Sequence, residues 1–112
     1  MAKTKKAKKK NIKRKIVIEG TFSGTVNNHV ILDVFRSNAL PKPYDFRKKY
    51  EESFKETLDD LEPGLVYNID FTGFTTTQFD LKISGEFDLP NPIIDSFQNT
   101  SFSPGYSIKI KS

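Results

Sequence analysis

From Ile12 to Phe22 an apolar residue or glycine recurs at most even positions (Ile12, Ile16, Ile18, Gly20, Phe22), with Lys13, Lys15, Glu19 and Thr21 between them. Side chains of a strand alternate between faces, so this period of two predicts a half-buried strand. Val26-Asn27-Asn28-His29 predicts a tight turn, because asparagine tolerates positive φ. The turn leads into residues 30–35, where Asp33 alone interrupts a run of apolar side chains. The two segments are expected to pair as a β-hairpin whose second strand is covered on both faces.

Pro41 and Pro43 then break the strand, and Phe46, Tyr50, Phe54, Leu58 and Leu61 recur at spacings of four, four, four and three. That spacing predicts a helix over residues 46–61 with a narrow aromatic stripe. Asp45 would serve as its N-cap or first-turn acid, and Pro63-Gly64 would end it. Lys48, Lys49 and Lys55 alternate with Glu51, Glu52 and Glu56 on the expected outer face. Asp59 and Asp60 would lie near its C-terminus, where negative charge opposes the helix dipole.

Beyond the helix, Leu65, Tyr67, Ile69 and Phe71 alternate with polar residues, and Phe79, Leu81, Ile83, Gly85 and Phe87 do the same. These read as a second hairpin whose link is residues 73–78. Residues 88–105 hold three prolines and many Asn and Ser, which reads as a long ordered loop with one helical turn at 93–97. Tyr106, Ile108 and Ile110 form a last short strand, with Lys109 and Lys111 protecting an exposed sheet edge. The expected fold is α+β, in the order ββαβββ: a mostly antiparallel sheet of about five strands with one helix packed on a face. That element order matches a β-grasp arrangement. A small β-barrel is the rival, although the oligonucleotide-binding kind usually places its helix after three strands.

Charge changes the picture most. Nine of the eighteen Lys and Arg residues (Lys3, Lys5, Lys6, Lys8, Lys9, Lys10, Lys13, Arg14, Lys15) fall in a run that holds no acid. The remaining nine face all fourteen acids, which leaves residues 16–112 at −5 although the whole chain is +4. A block of like charge repels itself and buries no apolar area, so residues 1–15 are expected to be a disordered tail, and residues 16–112 a single domain. The chain has no cysteine, hence neither a disulfide framework nor a thiolate metal site. No stretch reaches the eighteen or so apolar residues that span a bilayer. The apolar run Ile16-Val17-Ile18 is too short for a signal-peptide core, so export by that route is not expected.

The tail points to phosphate. Each Lys or Arg that neutralises a phosphate releases condensed counterions, which makes binding favourable and salt-dependent. A single arginine among lysines argues against reading base edges, because Arg supplies the planar fork that recognises guanine. The expected function is non-enzymatic binding of DNA or RNA backbone through this arm, with the acidic body contacting a protein partner or another copy. Arg36, Lys42, Arg47, Lys48 and Lys49 would extend the basic patch. Phe74, placed at the tip of the second hairpin, would stack on a base, with Tyr44 and Phe102 as lesser candidates. The alternative is a structural subunit of a larger assembly, such as a viral particle, whose tail contacts a packaged genome or an acidic neighbour. Location follows partner: cytoplasmic or nucleic-acid-associated, inside a virion, or nuclear if the run at 5–10 acts as an import signal.

Catalysis draws little from these residues. His29 is the only histidine and falls at a turn, and no phosphate-cradling glycine-rich loop is present. Asp59 with Asp60, or Asp33 with Asp70, supply paired carboxylates but no calcium-loop spacing. No catalytic residue, metal ligand or cofactor is expected.

Overall fold

A computed structural model describes residues 12–37 and 40–112. Among them there is no helix. The chain forms seven strands: β1 (Arg14–Phe22), β2 (His29–Arg36), β3 (Tyr44–Tyr50), β4 (Phe54–Leu61), β5 (Val66–Gly85), β6 (Ile93–Phe102) and β7 (Gly105–Lys109). All pairings are antiparallel. The twenty-residue β5 is the hub. One of its edges carries β2 opposite residues 68–74 and β1 opposite 79–85. The other carries β7 opposite residues 66–70 and β6 opposite 73–83. β3 flanks β2 and β4 flanks β1, giving a sheet whose main order is β3-β2-β5-β1-β4.

The sheet curls over into a half-barrel. Phe71 and Phe79 lie eight residues apart on β5, yet their rings are 6.2 Å apart. The two ends of β5 meet at Ile110, which donates its amide to Leu65 O at 2.9 Å and bridges to Phe87. The concave side takes alternate residues: Ile16, Ile18 and Phe22 from β1, Val30, Leu32 and Val34 from β2, and Tyr67, Ile69, Phe71, Phe79, Leu81 and Ile83 from β5. Each fully buried side chain of this size contributes about 1.5–3 kcal/mol through apolar area removed from water. Gly73 lies where β5 passes β2 and β6; a Cβ there would stand 2.2 Å from His29 O, so only glycine allows the close approach.

The structure corrects the α+β expectation, and with it the β-grasp order. Residues 46–61 are not a helix but β3 and β4, separated by residues 51–53. A repeat of four is also two strand periods, so Phe46, Tyr50, Phe54 and Leu58 share one face of a strand as readily as one face of a helix. Lys48 and Glu56 disguised the alternation: they sit on that same face and pair with each other at 3.7 Å. Asp59 and Asp60 therefore oppose no helix dipole, and Asp60 accepts a 2.9 Å hydrogen bond from Tyr44 Oη.

Three further elements differ. β1 and β2 do not pair with each other but lie end to end along β5. The second hairpin is one strand, because residues 73–78 continue through the bend, where Thr75 is buried and donates to Asn28 Oδ1 at 2.9 Å. Residues 93–102, expected as loop with a helical turn, are β6.

Candidate nucleic-acid interface

Of the nine cations in the basic run, Lys13, Arg14 and Lys15 lie within the described residues; Lys3, Lys5, Lys6, Lys8, Lys9 and Lys10 lie outside them. Arg14 and Lys15 already belong to β1. Arg14 donates to the carbonyls of Lys111, at 3.3 Å, and Ser112, at 2.6 Å, and lies 3.7 Å from Glu86. The Lys15 amide donates to Glu86 Oε1 at 2.7 Å. Lys13 pairs with Glu62 in the turn between β4 and β5. Its hydrogen bond holds the Glu62 carboxyl below the usual carboxylate range, and the same bond raises the Lys13 ammonium.

At this root of the arm two members of the expected patch come together. Lys42 Nζ approaches the same Glu62 oxygen that Lys13 engages, at 3.7 Å. Arg36 donates to Val66 O at 3.0 Å and to Lys42 O at 2.8 Å, and its guanidinium lies 5.7 Å from the centroid of the Tyr67 ring. Arg36 is thus held by carbonyls and a ring face rather than by a carboxylate. Arg36, Lys42 and Glu62 line a hollow of about 310 Å³ whose other walls are Pro41, Pro63 and Leu65. Lys13, Lys42 and Arg36 thus gather around Glu62, with Asp60 also close enough to act on Lys13.

The rest of the patch does not join them. Arg47, Lys48 and Lys49 run along β3 away from the arm, and each has a carboxylate nearby: Asp33 at 3.4 Å, Glu56 at 3.7 Å and Glu51 at 3.5 Å. Lys48 also lies 5.3 Å from the Tyr50 ring centroid. Sequence proximity grouped five cations that the strand direction separates. Glu62, which gathers Lys13 and Lys42, was missed; its position beside Pro63-Gly64 was its only signal.

The stacking candidates fall differently. Phe74 is at no hairpin tip: it sits in β5 opposite His29, half-buried, with the two rings 6.5 Å apart and 28° from parallel. Phe102 is core, stacked on Phe79 at 4.9 Å and on Phe97 at 5.2 Å. Tyr44 meets the Tyr67 ring edge-on at 5.3 Å, and burial together with its bond to Asp60 raises its phenol pKa. Asp33 and Asp70 stand directly opposite each other on β2 and β5, with Arg47 beside Asp33. Among the described residues no group of three or more His, Asp or Glu side chains is placed to hold a metal ion. A larger open cleft of about 710 Å³ lies at the bend, lined by Phe22, Thr25, Asn27, Glu51, Glu52 and Ser53 among others. Its two glutamates suit no phosphate.

No protein family, curated protein or solved structure matches this chain.

Proposed function

We propose that this protein is a non-enzymatic nucleic-acid-associated protein whose Lys-rich arm holds phosphate backbone without sequence preference. The observation that carries this reading is charge segregation: nine cations without one acid in residues 3–15, joined to a body of net −5. The arm enters the body at Lys13, beside Lys42 and Arg36, so the phosphate path continues from the arm onto that hollow and not along β3. The lysine-rich composition favours phosphate over base edges. The acidic remainder of the body faces protein.

Binding of the full chain and of residues 12–112 to labelled duplex DNA and RNA, followed across a salt series, tests this. Removing residues 1–11 deletes six lysines. If all six neutralise phosphates on DNA, the log-log salt slope flattens by about 5. Affinity unchanged by the deletion would move the site to the body, and no binding by either protein would end the reading. Arg36→Gln with Lys42→Gln is expected to weaken binding by a further, smaller step, while Lys48→Gln with Lys49→Gln leaves it unchanged.

A second reading, a structural subunit of a larger assembly, is favoured by the edge of β6, which pairs with β5 alone and carries no Lys or Arg and a single acid, Asp95.

A further inference from the structure

Glu62 stands where the arm meets the body. It lies in the turn between β4 and β5, and its backbone is pinned there: its amide donates to Tyr67 Oη at 2.8 Å and its carbonyl accepts from the Leu65 amide at 3.4 Å. The side chain is the part that can swing. One oxygen, Oε2, takes both Lys13, from the root of the arm, and Lys42, from the segment before β3. The Lys13 hydrogen bond, with Lys42 beside it, holds that carboxyl in its charged form. The side chains of Lys13 and Lys42 are 43 % and 61 % exposed and that of Glu62 25 %, so an anion in solvent reaches both ammoniums without any strand moving. Arg36 lines the same hollow, held by the carbonyls of Val66 and Lys42. Asp60 also acts on Lys13, while its own Oδ1 accepts from Tyr44. A carboxylate oxygen shared by two ammoniums occupies the place of a phosphate oxygen, since both accept the same charge-assisted hydrogen bonds.

We propose that Glu62 is a tethered competitor of phosphate: it holds Lys13 and Lys42 in the free protein and yields them to a polyanion but not to free phosphate, so the arm root engages phosphate backbone as a second step. This rests on the phosphate-binding reading above and names how the same site selects its ligand. A side chain fixed beside its partners acts at an effective concentration of about millimolar or more, and a dilute free anion loses to it. A polymer does not lose, because the lysines of residues 3–10 hold it first and bring its next phosphates to the hollow at a comparable effective concentration. Displacing Glu62 into water costs little, because an exposed ion pair is weak.

Titration of labelled duplex DNA at one salt concentration with full-length variants reads this out, thermal midpoints confirming that each variant folds. Glu62→Gln is expected to tighten binding several-fold. Glu51→Gln also removes one acid and frees a lysine, Lys49, at the other end of β3, and is expected to change binding far less. With Lys13→Gln and Lys42→Gln in place, Glu62→Gln should no longer tighten binding, which separates competition for those two cations from the general charge of the body. In NMR the wild-type Glu62 side-chain signals are expected to move with DNA and to stay in place with inorganic phosphate at equal phosphate concentration. Unchanged or weaker binding by Glu62→Gln, an equal gain from Glu51→Gln, a gain that survives loss of the two lysines, or displacement of Glu62 by free phosphate would each overturn the proposal alone. If neither the wild type nor any variant binds DNA, the phosphate reading and this proposal fall together.

Discussion

Phe79 is the side chain on which the interior converges. It is fully buried and its ring meets Phe22 at 4.7 Å, Phe102 at 4.9 Å and Phe71 at 6.2 Å, so it joins β1, β6 and the first half of β5. Phe79→Ala is expected to cost about 3–5 kcal/mol in denaturant unfolding, and Phe79→Leu clearly less, because leucine leaves a smaller cavity. The Lys13–Glu62 pair offers a different test. Glu62 is depressed in the folded state, so its contribution is present above its ordinary pKa and is lost as pH falls through the folded value. Lys13 is raised, so its contribution is present below its ordinary pKa and is lost as pH rises through the folded value. The pair is therefore intact across neutral pH. NMR titration should find Glu62 ionising at lower pH than exposed glutamates, and Lys13→Gln should move it upward.

Strands were legible wherever one face is buried and the other wet. β1 and both halves of β5 follow from alternation, because Ile16, Ile18, Ile69 and Leu81 have nowhere to go but the core, whereas β2 was read from its apolar run and buries fully only the face of Val30, Leu32 and Val34, not both. β3 and β4 were misread because Lys48 and Glu56 pair with each other on the same face as Phe46, Tyr50, Phe54 and Leu58, so polarity at even positions hid the period. β6 was missed because an edge strand with one paired side tolerates Ser, Asn, Gln and Thr, the residues that otherwise mark loops. The basic run was plain in the sequence, whereas the gathering of Lys42 and Arg36 at its root depends on how the turns at either end of β3–β4 fold together. The bend in β5 gives this scale its own prediction. Gly73→Ala drives a methyl into the His29 carbonyl, which is backbone and cannot rotate away. A loss of about 1–3 kcal/mol is expected, together with faster amide exchange in β2 and the start of β6.

At the scale of the molecule, the arm and the domain are expected to separate in stability. Residues 1–11 supply six lysines and, apart from Met1, no large apolar side chain, so removing them should leave the thermal midpoint within a degree or two. Removing residues 93–112 should instead abolish cooperative melting, since it takes Phe102, Ile108 and Ile110 from the core and uncovers one whole side of β5. These two truncations, compared by calorimetry, define which part of the chain is the folding unit.

The position of β5 also sets an order of events. Its first half is bounded by β2, made earlier, and β7, made last; its second half is bounded by β1, made first, and β6. A chain emerging from a ribosome holds β5 with one side bare until β6 and β7 follow, and pairings so distant in sequence form slowly, on the order of milliseconds to seconds. During that interval the strand that supplies more of the core than any other is exposed to other chains, and the cells that make it would need to shelter the nascent chain rather than the finished one.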